Sequence, residues 1–383
     1  MIRWKHESAA SHPGAPGGLR PRGRFRLALL AAAVTLGLMT CLCACGEEEE
    51  TAEEPTSFEL ALITNEIGVD DGSFNQTTWA AMQAFGEENG LTCQYYPSDD
   101  ESYMKTIREA KSQGAQLVVL AGSQLETIAY EAQDKYEDLK FVLIDGVPRD
   151  KDYNYNTGSN ATGVLFAEQE AGYLAGYAAV TEGYTKLGYM GGDALPPVKR
   201  YGYGFVQGAA AAAEELGRSG VHVQYTYLGT FEASDEIESE AYDWFTEDGV
   251  QVIFACGGSI GESVMAAAET AGGKVIGVDA DQSALSETVI TSAKKETGKA
   301  ITDILKNYKR NNFEGGAILN YSAENGGIGL EITNARMEVF TQEVYDQVFA
   351  DIKSGARKIV KDIGDKSIST LVPDTMEIEV IDD

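Results

Sequence analysis

Residues 116–145 read QLVVLAGSQLETIAYEAQDKYEDLKFVLID, and this stretch decides the fold class. The apolar run Gln116–Ala121 stops at Gly122-Ser123. A stretch with helical spacing follows over about 124–137, and a second apolar run occupies Lys140–Asp145. Both runs are short, β-branched or aliphatic, and bounded by turn residues, which marks strands rather than buried helices. Neither alternates with polar residues, so each is covered on both faces, as in a parallel sheet with helices on either side. Upstream, Phe58–Thr64 and Leu91–Tyr96 read as two more strands, with helices at about 75–89 and 101–113. The class is α/β.

The rhythm restarts beyond a helix at about 168–182. Strands at Lys186–Met190, Val221–Leu228, Val250–Ala255 and Lys274–Val278 alternate with helices near 200–217, 235–247 and 260–271. The tail adds a strand (Val289–Ser292), a helix (296–310), a strand (Ala317–Tyr321) and a helix (341–354). Two successive series predict two doubly wound parallel-sheet lobes joined by a hinge. The expected division is 58–167 plus about 285–325 for one lobe, and 168–284 plus about 326–383 for the other. About 325 residues suit two cores better than one.

The first 45 residues read as an export signal. Arg20, Arg22, Arg24 and Arg26 precede an apolar run, Leu27 to Met39, that is short for a membrane span. Leu42-Cys43-Ala44-Cys45 resembles a bacterial lipobox, which makes Cys45 the lipidation site; Cys45 carries Leu at −3 and Ala at −1. Residues 1–19 carry no pattern, so the translation start within them stays open. Gly46 and the acidic residues after it, to about residue 57, read as a solvated tether. Removing residues 1–44 takes away six Lys/Arg and one Glu, and leaves a net charge of −35. Such a body argues against nucleic acid as a partner and against membrane contact other than through a lipid anchor. Beyond Cys45 only Cys93 and Cys256 remain, which argues against a disulfide scaffold. His222 is the one histidine after the signal, which removes most zinc sites and most histidine-based catalysis. No metal and no cofactor is expected.

Open parallel sheets bind ligands beyond the carboxyl ends of their strands. That rule points to Asn65, Gly122-Ser123, Asp145-Gly146, Gly191-Gly192, Cys256-Gly257-Gly258 and Asp279-Ala280-Asp281. Glycine and aspartate also serve ordinary turns and helix caps at such places. Asn75 and Trp79, four apart on one helix, put an amide beside an aromatic plane; equally, Asp71 or Ser73 caps that helix and Trp79 packs in the core. Tyr201 and Phe205 share the same spacing and the same two readings. Gly202-x-Gly204-x-x-x-Gly208 misses the dinucleotide fingerprint in both spacing and context. Gly257-Gly258-Ser259-Ile260-Gly261 matches the G-x-S-x-G elbow of hydrolases, yet no histidine follows it as general base. Two carboxylates in Asp279-Ala280-Asp281 can accept from vicinal hydroxyls such as those of ribose.

Taken together, these residues resemble the basic membrane protein (BMP) family, substrate-binding lipoproteins of ABC transporters that include purine nucleoside receptors. The likeness runs from about residue 58 to 330. It rests on Asp70-Asp71-Gly72-Ser73-Phe74-Asn75-Gln76, on Phe166 to Gly176 (FAEQEAGYLAG), on Gly257-Gly258 and on Gly277-Val278-Asp279-Ala280-Asp281-Gln282. The resemblance implies a type I periplasmic-binding-protein fold, a purine nucleoside held between the lobes, and an ABC permease with its ATPase as partners. It places Asp71 and Asn75 at the base edge and Trp79 on one face of the base. Tyr201, or else Phe205, would lie on the other face, although the family has phenylalanine near Tyr201. It also places Gly257 and Gly258 along the cleft by backbone, Asp279 on ribose hydroxyls and Lys294 as the closing residue. It implies a binding protein rather than an enzyme, lipid-anchored and facing outward. The competing readings are a ligand-sensing receptor and a nucleoside hydrolase or esterase using Ser259.

Overall fold

The computed structural model describes residues 58–99 and 101–381. The expected signal segment, Cys45 and the acidic tether lie outside the described residues. The first lobe opens with β1 (Leu60–Thr64), α1 (Phe74–Asn89), β2 (Cys93–Pro97), α2 (Tyr103–Ser112), β3 (Leu117–Ala121), α3 (Glu126–Lys135), β4 (Lys140–Ile144) and β5 (Ala161–Phe166). The chain continues through α4 (Glu168–Glu182), β6 (Lys186–Gly191), α5 (Pro196–Glu215), β7 (His222–Tyr227), α6 (Asp235–Thr246), β8 (Val252–Cys256), α7 (Ile260–Ala271) and β9 (Lys274–Asp279). The tail holds β10 (Val289–Lys295), α8 (Thr297–Lys309), β11 (Ile318–Tyr321), β12 (Ile328–Leu330), α9 (Gln342–Lys353) and β13 (Glu377–Val380).

Two sheets result. The first has the order β11-β5-β4-β3-β1-β2 and is parallel throughout. The second has the order β12-β10-β9-β8-β6-β7-β13, with β12 antiparallel to β10. Strands β1, β3 and β8 are buried at every residue, as apolar runs covered on both faces must be. The architecture is the two-lobed, doubly wound α/β fold expected from the alternation.

Three crossovers join the lobes. They follow β5, β10 and β11. The second falls later than expected: β10 stays in the second sheet beside β9, and the chain returns at α8, which packs on α1. β5, β12 and β13 have no counterpart among the expected strands. β13 pairs in parallel with β7, although about 150 residues separate the register partners Glu377 and His222. Such long-range pairing leaves no mark in local sequence, and the strand's own pattern (EIEV) is half charged.

The glycines that imitated a cofactor motif have a packing role. In α4 every residue except Glu170 and Glu182 is buried. Its Gly172 and Gly176 face the carbonyl oxygens of Tyr201 and Phe205 so closely that an added Cβ would lie 2.0 Å from each. Gly204 and Gly208 of α5 return the contact, against the carbonyls of Gln169 and Tyr173 at 2.1 and 2.0 Å. Four glycines thus let two helices touch backbone to backbone. This fixes the start of α5, and Tyr201 with it, at the edge of the cleft.

Candidate ligand-binding cleft

A cleft opens at the carboxyl ends of the strands of both sheets. From the first lobe it is lined by Asn65, Asp71, Phe74, Asn75, Ser123 and Asp145, among others. From the second lobe come Val198, Tyr201, Phe231, Cys256, Gly257, Gly258, Asp279 and Lys295. All but one of the loops named by the strand-end rule contribute a residue to the lining of this cleft.

Charge gathers at one end. Lys295, the last residue of β10, is 3% exposed; its Nζ stands 2.7 Å from Asp145 Oδ2 and 3.4 Å from Asp279 Oδ1. Burial works against the ammonium, but Asp145, Asp279 and Glu168 together hold its pKa well above the ordinary lysine value. Asp145 and Asp279 occupy matching places after β4 and at the end of β9. Both have the left-handed backbone uncommon outside glycine, with φ of 65° and 64°. Asp279 also accepts from Ser73 Oγ at 2.8 Å and from Tyr201 Oη at 3.1 Å. Ser73 and Asp145 belong to the first lobe, so two of these contacts cross the cleft. Gln282 adds a third, from its Nε2 to the carbonyl of Gly72 at 3.1 Å.

Asp71 caps α1. Its carboxylate accepts from the amides of Ser73, Asn75 and Gln76 at 2.9–3.0 Å. Burial nevertheless pushes its pKa above the usual aspartate value, against the pull of those three donors. Asn75 donates to Asn65 Oδ1 at 3.1 Å, pairing two amides on the cleft wall.

Three aromatic side chains line the cleft, Phe74 from the first lobe and Tyr201 and Phe231 from the second. Phe74, at the start of α1, has Lys295 Nζ 4.4 Å from its ring centre. Phe231, in the loop after β7, lies on Gly192 and Gly257, the glycines that follow β6 and β8. A Cβ at Gly192 or Gly257 would meet its ring at 2.5 or 2.8 Å. Ser259 clasps the same loop: its amide and its hydroxyl both donate to the Phe231 carbonyl, at 2.9 and 3.2 Å. The serine of the elbow-like motif thus holds the Phe231 backbone. His222, the one histidine among the described residues, begins β7 at the opposite end of the sheet and faces Glu379.

Asp71, Asn75, Tyr201, Gly257, Gly258 and Asp279 therefore line the cleft, and three other expected residues do not. Trp79 is half-buried, one turn farther along α1, with its ring edge-on to Tyr95 at 5.4 Å. Phe205 is fully buried in the second core, 5.4 Å from Phe254. Helical spacing put each on the right face of its helix but one turn too deep. Lys294 pairs with Glu296 and Glu331 at 3.4 Å, because neighbouring strand residues point to opposite sides. Its neighbour Lys295 takes the cleft position. Local sequence pattern assigns no role to Phe74, which lies inside the Asp70–Gln76 motif, or to Phe231. The strand-end rule applied to β7 finds Phe231.

Among the described residues, no helix is long and apolar enough to cross a membrane. Residues 58–366 match the family described as Bmp, PnrA-like ABC transporter substrate-binding proteins. The chain is 29% identical over 338 residues to the ABC transporter nucleoside-binding protein BmpA of Lactococcus lactis subsp. cremoris, covering 81% of this chain and 93% of that one. It is 31% identical to basic membrane protein A1 of Borrelia garinii subsp. bavariensis, covering 72% and 80%. A solute-binding protein of an Aeropyrum pernix ABC transporter system has the same fold, with a TM-score of 0.71 at 22% identity, covering 82% of this chain and 96% of that one. The fold, the cleft between the lobes and these matches agree: the chain belongs to the Bmp family of ABC transporter substrate-binding proteins.

Proposed function

We propose that the cleft binds a purine nucleoside and that the loaded, closed protein delivers it to an ABC permease and its ATPase. The carrying observation is that Phe74 and Phe231 line the cleft from opposite lobes, beside a polar end built from Asp145, Asp279 and Lys295. A flat base between two rings gains about 1–3 kcal/mol per stacked face. Vicinal hydroxyls satisfy carboxylates that otherwise stay buried with open acceptor sites, and Asp145 Oδ1 has no hydrogen-bond partner. Asn65 and Asn75 offer both donors and acceptors to a base edge. The nucleoside-binding name of the Lactococcus relative supports the same ligand class. Cys45 is proposed as the lipidated residue that anchors the protein on the outer face of the cell membrane.

The reading needs no chemical step, and ligand capture is a shift between open and closed arrangements of the lobes. Thermal shift against nucleosides, free bases, sugars and amino acids tests it. Stabilisation by purine nucleosides, lost in Asp279→Ala and Phe231→Ala, is the expected result. Stabilisation by sugars or amino acids alone would keep the transporter role and remove the nucleoside.

A further inference from the structure

We infer that Glu168 is a proton-binding site at the first crossover between the lobes, and that closure of the cleft takes up a proton there. Glu168 opens α4 directly after β5 and is 0% exposed. It does not line the cleft, so the ligand does not reach it. One oxygen, Oε2, receives a single N–H from Arg200 at 3.3 Å, and the other, Oε1, has no hydrogen-bond partner. The Arg200 side chain itself remains 22% exposed. An ionised carboxylate held so loosely is costly once buried, whereas the neutral acid costs much less.

The neighbours decide the direction. From the end of β4 comes Asp145, from the end of β10 Lys295, from the start of α5 Arg200 and Tyr201, and from the end of β8 the Cys256 thiol. Asp279, at the end of β9, shares Lys295 with Asp145. Three buried carboxyls therefore face two cations, and Lys295 is already committed to two of them. Gln169 beside it on α4 is neutral, and Glu170 turns away to accept from the Ala323 amide. A proton on Glu168 removes the excess negative charge and its repulsion with Asp145. Consistent with this, burial first and Asp145 second push the Glu168 pKa up to about 7, against the pull of Lys295, Arg200 and its own backbone amide. Asp145 comes from the first lobe and Lys295 from the second, so this environment is complete only when the lobes meet.

The sign follows. With its pKa raised by closure, Glu168 favours the closed state most fully below its ordinary carboxylate value, and the advantage is lost as pH rises to about 7. Affinity for adenosine, measured by calorimetry on the full-length protein, should then weaken by on the order of tenfold per pH unit across that window and level off above it. Glu168→Gln, a neutral mimic of the protonated acid, should bind with a flat pH profile. Arg200→Gln removes a cation that opposes protonation and should move the window to higher pH. A flat wild-type profile, with Glu168→Gln weaker by a constant factor, would overturn the inference and make Glu168 an ordinary ion-pair partner. The adenosine arm rests on the nucleoside reading; a second arm does not. Without ligand, protonation of Glu168 should shift the lobes toward the closed arrangement, so the radius of gyration from solution scattering should fall from pH 8 to pH 5 in the wild type and stay constant in Glu168→Gln. The same radius at every pH in both proteins would refute the proton site. A pH-dependent radius without adenosine binding would instead remove only adenosine as the ligand.

Discussion

Replacing Lys295 by methionine isolates what holds the cleft floor together. The side chain keeps its length and burial but loses its charge, leaving Asp145, Asp279 and Glu168 buried with Arg200 as the remaining cation. Lys295 Nζ sits 2.7 Å from Asp145 and 3.4 Å from Asp279, and all three side chains are at most 7% exposed. Removing one partner of such a group costs about 3–5 kcal/mol, because the cost is that of the uncompensated charge left behind. Spread over a chain of this size, the loss should lower the melting temperature by on the order of 10 °C at pH 8. The deficit must depend on pH. Burial already holds the Asp145 and Glu168 carboxyls above their ordinary pKa values, and loss of Lys295 removes a cation that pulls both down. Their neutral forms stabilise the fold at low pH, and that contribution is lost as pH rises through the raised values. The deficit should therefore shrink toward pH 5 and be largest at pH 8, as followed by circular dichroism or calorimetry at three pH values. A deficit below about 1 kcal/mol, or one that does not change with pH, would refute the view that Lys295 is the electrostatic keystone.

Further substitutions separate the cleft from the core. Phe231→Ala should abolish ligand-induced stabilisation at little cost to the unliganded fold, whereas Trp79→Ala should leave ligand-induced stabilisation in place; thermal shift reads both. Phe205→Ala should destabilise by about 3–5 kcal/mol through the cavity it leaves beside Phe254 and Tyr189, measured by denaturant titration. Gly176→Leu should prevent the approach of α4 to α5, since even a Cβ would lie 2.0 Å from the Phe205 carbonyl; loss of soluble folded protein is the expected outcome. Ser259→Ala should cost about 1 kcal/mol by freeing the Phe231 loop and leave any bound nucleoside chemically intact, which chromatography of the ligand would check.

How much was legible in the sequence depends on the range of the interaction concerned. Strand-and-helix alternation is local, because an apolar run of five or six residues and a 3.6-residue period are each written within one element. From it followed the α/β class, the two lobes and the strand-end loops at which Asp145, Gly257 and Asp279 stand. What faces what is not local. Lys294 and Lys295 are chemically the same, and only the pairing of β10 with β9 and β12 decides which of them enters the cleft. Trp79 and Phe205 satisfy helical spacing as well as Phe74 and Tyr201 do. Their exclusion depends on how deep each helix sits, which for α5 is set by glycines meeting carbonyls across a helix pair. Phe231 becomes a cleft residue because Gly192 and Gly257, more than 60 residues apart, leave room for its ring. The sequence by itself determined the helices and all the strands but β5, β12 and β13, because their causes lie within a few neighbouring residues. Only the tertiary structure decided the site, because its buried charges and rings take their meaning from partners brought together from both lobes.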